Sequence, residues 1–198
     1  MRLKTDARRS AIVSAAWAAF RENGFERTSM SEISARLGGS KATLYSYFKS
    51  KEELFFAALD DAVADQAERA FEQLEGPGDL PERLTAFARG YMGLRLGDDV
   101  IAVDRMMIAE AERSPLGAQL RAQYILPKRR QMAMLMEREM AAGRLRRADS
   151  AVAAAHFLAL IESDLLERRL HGEPRMDRAD VEAALSAGVD AFLRAYAP

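Results

Sequence analysis

The 198-residue chain has no cysteine, two histidines and one tryptophan. Without cysteine there is no disulfide, no thiolate metal site and no cysteine nucleophile, a pattern that fits a reducing compartment. No apolar run approaches the ~20 residues of a membrane-spanning helix; the most apolar stretch, Ala151 to Ile161, is short and interrupted by His156. The basic start, Met1-Arg2-Leu3-Lys4-Thr5-Asp6, is not followed by an apolar segment of signal-peptide length. The chain is therefore expected to be soluble and cytoplasmic, with no membrane partner. Neither His156 nor His171 has a glutamate three residues before it, as the Glu-x-x-His sites of helical metal enzymes require. P-loop, G-x-G-x-x-G and G-x-S-x-G patterns are also missing. Catalysis would have to rest on carboxylates alone, so no enzyme, metal site or cofactor is expected. Nor is there an excess of either charge: 29 Lys+Arg stand against 30 Asp+Glu, a net of -1. Taken whole, that balance argues against a nucleic-acid partner.

What is present changes the picture. A hydrophobic share of 49% with 30% charged residues is ordinary for a folded globular chain. Residues 1–50 hold nine Lys/Arg and four acids, a net of +5, whereas the remaining residues hold 20 basic and 26 acidic residues, a net of -6. A basic head on an acidic body points to a head that meets a polyanion.

Ala, Leu, Arg, Glu and Met dominate, strand-like alternation of Val, Ile and Thr is missing, and Pro and Gly fall between helical stretches. An all-α protein follows. Helix one is expected from about Thr5 to Asn23, with Ile12, Ala16, Ala19 and Phe20 on one face and Gly24 at its exit. Ser29-Met30-Ser31-Glu32 has capping-box spacing and opens a short helix that stops at Gly38-Gly39. Ser40 caps a third helix through Phe48, and Ser50-Lys51-Glu52-Glu53 is a second capping box opening a helix from Lys51 to about Leu74. Two short helices joined by a glycine turn within a three-helix basic unit form a helix-turn-helix. Leu44 and Phe48 share the inward face of the third helix. The outward face carries Ala42, Thr43 and Ser46, flanked by Lys41, Tyr45 and Tyr47, with no acid.

The stretch from Gly24 to Ile33, followed by Leu37-Gly38-Gly39-Ser40-Lys41-Ala42-Thr43-Leu44-Tyr45-Ser46-Tyr47-Phe48-Lys49-Ser50-Lys51, closely resembles the DNA-binding signature of the TetR family of bacterial transcriptional regulators. The resemblance covers roughly residues 8–59. It implies a homodimer in which residues 1–50 form the helix-turn-helix domain, 51–75 a connecting helix, and 76–198 a helical effector-binding and dimerisation domain. It further implies that Thr28 and Ser29 touch phosphate, that Tyr45 and Lys51 clamp phosphates, and that Lys41, Ala42, Thr43, Ser46 and Tyr47 face base edges of a palindromic or nearly palindromic duplex. Their chemistry suits base readout, since lysine donates to guanine, hydroxyls reach several edges, and Ala42 can pack on a thymine methyl. Gly39 departs from the family pattern, which usually has a larger apolar residue there, and a looser turn or a tilted third helix is expected.

Five helices are expected in the body, roughly 80–96, 99–112, 115–142 with a possible break at Pro127, 150–170 and 177–196. A broad apolar surface on the last two, including Leu158, Ile161 and Leu165 with Val181, Leu185, Val189 and Phe192, suits the dimer interface the family uses. Seven methionines fall between 92 and 140, with Phe87, Tyr91 and Tyr124 nearby. Adaptable methionine suits an effector pocket as well as a core. On the pocket reading Phe87, Tyr91, Met106, Met107, Tyr124, Met132 and Met136 line it. His156 reads as a hydrogen-bonded core or interface histidine, Asp164 and Arg168 as an intrahelical pair, and Arg144-Leu145-Arg146-Arg147 as a solvated helix end. The mechanism the family implies is a repressor released from its operator by a small, largely apolar effector; an effector-independent regulator or an activator would keep the same head.

Overall fold

The computed structural model describes residues 5–112 and 114–198. The head is built as the local signals require. Thr5 caps α1 (Asp6–Asn23) by accepting the Arg8 amide, and the helix leaves through Gly24 at φ 81°, a left-handed conformation that glycine adopts freely. α2 (Met30–Arg36), α3 (Lys41–Tyr47) and α4 (Lys51–Glu72) are each opened by a serine: Ser29, Ser40 and Ser50 accept the amides of Glu32, Thr43 and Glu53 at 3.1 Å. The two expected capping boxes close only on the serine side. Glu32 instead accepts from the Asn23 side-chain amide at 2.7 Å and pairs with Arg36, and Glu53 accepts the Lys49 amide at 2.7 Å. A complete box forms later, between Asp79 and Glu82, at the start of α5 (Leu80–Arg95).

The turn between α2 and α3 is tied, not loosened. The Gly39 amide donates to the Ser34 carbonyl at 3.2 Å, and the Ser34 hydroxyl donates to the Gly39 carbonyl at 2.8 Å. A Cβ at Gly39 would lie 2.8 Å from the Arg8 guanidinium, so the glycine leaves room for an arginine of α1 against the turn.

α4 spans two hydrophobic cores. Its first turns place Leu54, Phe55, Phe56, Ala58 and Leu59 with Ile12, Phe20, Ile33 and Leu44 in the head core. Its far end gives Phe71 to a second core, shared with Phe87, Met92, Phe157 and Phe192 of the body. Phe20, Phe25 and Phe55 form an aromatic triad with ring centroids 5.3–5.7 Å apart, fixing the α1 exit on α4. The head core does not end with α4. α6 (Asp98–Glu110) adds Val103 and Met107 to it, and α7 (Leu116–Leu120) adds Leu116 and Leu120.

Two expected helices are interrupted. Between α7 and α8 (Leu126–Ala141) the chain makes a π turn, Arg121–Ile125: Pro127 has no N–H for the Gln123 carbonyl, and the turn just before it widens. The helix expected over 150–170 breaks at Ser163, whose φ is 44°, into α9 (Ser150–Glu162) and α10 (Leu165–Leu170). The break also overturns the expected Asp164–Arg168 pair, because Arg168 bonds Glu173 at 2.7 Å instead. The final helix is α11 (Arg178–Ala195).

The run at 144–147 is not a plain solvated end. Leu145 is buried, Arg144 pairs with the buried Glu139, and Arg146 lies 4.6 Å over the Tyr196 ring while donating to the Ala195 carbonyl at 2.8 Å. Burial would raise the Glu139 carboxyl, but hydrogen bonds from Arg144 and Arg83 outweigh it and hold the group below its ordinary value.

Candidate nucleic-acid interface

α3 is a seven-residue helix held by one buried side chain, Leu44, and by Phe48 just beyond its end. With those two inside, Lys41, Ala42, Tyr45 and Ser46 are exposed and Thr43 and Tyr47 half-buried. The Ser40 and Thr43 hydroxyls lie 2.9 Å apart at the N-terminus of the helix, and the Ser46 hydroxyl donates to the Thr43 carbonyl at 2.7 Å. Lys41 Nζ sits 5.8 Å from the Tyr45 ring centroid, one turn along the same face. The Tyr47 hydroxyl accepts the Thr5 amide at 3.1 Å, which binds the start of α1 to the end of α3. Arg8 and Arg9 of α1 thereby stand beside α3; Arg9 lies 5.4 Å over the Phe48 ring. The sequence reading missed both arginines, although an Arg-Arg pair in the first turn of α1 was a visible signal.

Two of the expected phosphate ligands are placed differently. Thr28 is 1% exposed, and its hydroxyl faces the Ala19 and Gly24 carbonyls at 3.1 and 2.7 Å. This corrects its expected role: it locks the turn between α1 and α2, while the neighbouring Ser29 stays exposed at the N-cap. Lys51 Nζ donates to the Phe25 carbonyl at 2.9 Å and stands 4.1 Å over the Phe25 ring, with Glu26 O at 3.4 Å. An ammonium has three donors, so one remains beyond these two contacts. Arg36 is neutralised inside the head by Glu22 and Glu32, whose hydrogen bonds raise its pKa further.

The residues expected around an effector do not line one site. Phe87, Met132 and Met136 are fully buried in the body core with half-buried Tyr91 beside them. Met106, Met107 and Tyr124 pack on the head core, where Met106 Sδ accepts the Phe25 amide at 3.0 Å and the Tyr124 hydroxyl donates to the Phe56 carbonyl at 3.1 Å. The body also holds a polar cluster that the sequence did not reveal. Tyr91 donates to Glu162 at 2.8 Å and Arg95 to Asp104 at 2.9 Å, joining α5, α6 and α9. Burial, helped by Glu162, pushes the Tyr91 phenol well above its usual range, and burial raises the Asp104 carboxyl despite Arg95. Its members lie up to 71 residues apart, so no local spacing signals it.

The expected dimer residues need a correction as well. Leu158, Ile161, Leu165, Leu185, Val189 and Phe192 are each at most 6% exposed within one subunit, and Val181 is half-buried. The six buried ones face inward, because one side of α9 packs on α5, α8 and α11 and its broad stripe fills the subunit's own core, whereas Val181 keeps part of its surface outside. Among the residues left outside on the same helices are Val152, Ala155, His156 and Ala159 of α9 and Ser186, Ala187 and Asp190 of α11. His156 is hydrogen-bonded as expected, to the Tyr196 hydroxyl at 2.7 Å. No helix among the described residues is long and apolar enough to cross a membrane.

An exposed acid-free recognition helix on a three-helix head, joined by one long helix to a helical body, defines a helix-turn-helix transcription regulator. Residues 12–58 match the family of bacterial regulatory proteins named for TetR, and residues 82–198 match the C-terminal domain of AefR-like transcriptional repressors. The chain belongs to the TetR family, whose members regulate transcription and are not enzymes. A TetR-family transcriptional regulator from Mesorhizobium loti superimposes with a TM-score of 0.85 at 26% identity, over 98% of this chain and 100% of that one. The flavonoid-responsive regulator FrrA does so with a TM-score of 0.79 at 31% identity, over 98% and 99% of the two chains. The activator FasR of Mycolicibacterium smegmatis is 34% identical over 90 residues, 46% of this chain and 41% of its own length. The fatty acid metabolism regulator of Bacillus subtilis is 27% identical over 92 residues; the matched stretch spans 47% of its length, about half, and 46% of this chain.

Proposed function

We infer that the protein is a cytoplasmic homodimeric repressor, released from a palindromic or nearly palindromic operator by a small, largely apolar effector. The acid-free exposed face of α3 carries this reading. A helix presenting Lys41, Ala42, Tyr45 and Ser46 from a rigid core can enter a major groove. In the proposed assignment Lys41, Ala42, Thr43, Ser46 and Tyr47 read base edges. Ser29, Ser40, Tyr45, the remaining donor of Lys51, and Arg8 and Arg9 hold phosphates.

The dimer forms through the outward faces of α9 and α11, centred on Ala155, Ala159 and Ala187. Their small side chains allow close approach, and the two recognition helices then stand about 34 Å apart, one helical turn of DNA. The match of the body to AefR-like repressors, spanning residues 82–198, supports repression over activation. FrrA, similar along nearly its whole length, responds to flavonoids; the Phe71, Phe87, Tyr91 and Phe157 rings of this body suit an aromatic effector of that kind. Such a molecule enters by parting α5 and α8 around Phe87 and Met132. It favours a body conformation that moves α4, and so shifts the population away from the DNA-bound spacing. Operator affinity measured with and without a panel of flavonoids tests this: a fall of tenfold or more with one of them is expected, and affinity unchanged across flavonoids and other apolar compounds would contradict it.

A further inference from the structure

One seam between head and body lies where α6 packs against α1 and the start of α4. The seam is incompletely filled and holds a cavity of about 80 Å³. Trp17, Phe20 and Phe55 form its wall on the head side. Gly24 adds no side chain, and a Cβ there would meet nothing within 4 Å. α6 supplies Ala102, Val103 and Met106, whose sulfur is fixed by the Phe25 amide. Arg21 also borders the cavity; it is half-exposed and paired with Asp99 of α6 at 2.8 Å, and Ala102 beside it is exposed, so this side opens to solvent.

These walls define a chemistry. Aromatic edges and a thioether favour a flat polarisable ring. Water in so apolar a space finds few partners and is easily displaced. The one charged group at the opening is a guanidinium, which takes a carboxylate in a two-point bond. Its present partner, Asp99, is half-exposed, so releasing it to water costs little. The geometry points to a second ligand site, separate from the body core, that takes a single-ring aromatic carboxylate: ring between Trp17, Phe55 and Met106, carboxylate on Arg21. The space is roughly half the 150 Å³ of a cavity known to admit benzene. The ring therefore enters only if α6 and α1 separate slightly, and occupancy changes how the head sits on the body. Ligand binding here is coupled to operator binding through that seam.

Trp17 is the only tryptophan of the chain, so its fluorescence reports on this wall alone. Benzoate is titrated into the full-length protein, with acetate as the anion without a ring and phenol as the ring without a carboxylate. Benzoate should give a saturable change in Trp17 emission with half-saturation on the order of 1 mM, as expected for a ligand of nine heavy atoms, and acetate should give none. Arg21→Gln should weaken benzoate about tenfold, the worth of one charge-assisted pair, and leave the phenol response in place. Ala102→Leu, at an exposed helical position that tolerates leucine, should fill the opening and abolish both responses. Saturating benzoate should also change operator affinity by about threefold or more in the parent protein and leave it unchanged in Ala102→Leu. No saturable Trp17 response, or the same response in Ala102→Leu, would overturn the site. A Trp17 response with unchanged operator affinity would overturn the coupling. The fluorescence titration contains no DNA, so a protein that binds benzoate but no operator contradicts the proposed function and leaves the site standing.

Discussion

At Thr28 a hydroxyl that could have met a phosphate is turned inward onto two backbone carbonyls. Thr28→Val keeps the shape and removes both bonds, so it should lower stability by about 1–2 kcal/mol in denaturant unfolding while leaving operator affinity of the folded protein unchanged. Lys41 is the opposite case, exposed and with no part in the core. Lys41→Ala should cost about 1–3 kcal/mol of discrimination between the operator and a variant changed at the contacted base, read as the ratio of the two affinities. Glu139 adds a pH dependence. Its carboxyl titrates below the ordinary glutamate range when folded, so its stabilisation is complete above that range and is lost as pH falls through the depressed folded value. Glu139→Gln should therefore be less stable than the parent near pH 7 by about 1.5–3 kcal/mol, the worth of a hydrogen bond to a charged group, and the difference should shrink in urea titrations carried down to pH 3. The serine caps were legible because a cap acts within three residues. The roles of Thr28 and Lys51 were not, because their partners lie across a turn whose path no spacing records.

The elements of the head were read nearly to the residue, since each opens on a capping side chain, carries an apolar pair and, for α1 and α2, runs into a glycine. In the body the period of 3.6 located the stripes on α9 and α11 but not what covers them, and a stripe wide enough for a dimer proved to be the inside of a single subunit. The break at Ser163 escaped a reading by period because it depends on a strained φ, whereas the break near Pro127 was legible from the proline itself, though not its form, a turn that widens without interrupting the helical course. Gly188 shows why α9 and α11 stay together. A Cβ there would run into the Leu160 carbonyl and come within 3.2 Å of Ile161 Cα. Backbone cannot yield as a side-chain tip does, so Gly188→Ala should force the helices apart. A loss of about 1–3 kcal/mol in stability is expected, the usual cost of overpacking, with a weaker dimer by analytical ultracentrifugation.

Across the whole molecule, a net charge of -1 conceals a head at +5 and a body at -6. In the proposed dimer two heads side by side would present about twice the charge of one to a duplex, with the acidic bodies behind them. Communication between the parts runs through α4, which is built into both cores, through α6, which gives Val103 and Met107 to the head core and holds the body through Asp98, and through α7 and the turn after it, where Leu116 and Leu120 join the head core and Tyr124 bonds the Phe56 carbonyl. Asp98 pairs with Arg169 and Arg175, and hydrogen bonding from Arg175 holds its carboxyl below the usual range, whereas the adjacent Asp99 pairs with Arg21 of α1. One turn of helix thus grips both halves. The central claim is that a symmetric pair of α3 helices reads one operator. Selection of duplexes from a random pool by the full-length protein, followed by footprinting of the enriched sequence, tests it most directly. A palindromic or nearly palindromic site with half-sites about 10 base pairs apart, both protected and both lost in Lys41→Ala/Ser46→Ala, is the expected result. Enrichment of no sequence, or protection that survives those substitutions, would contradict it.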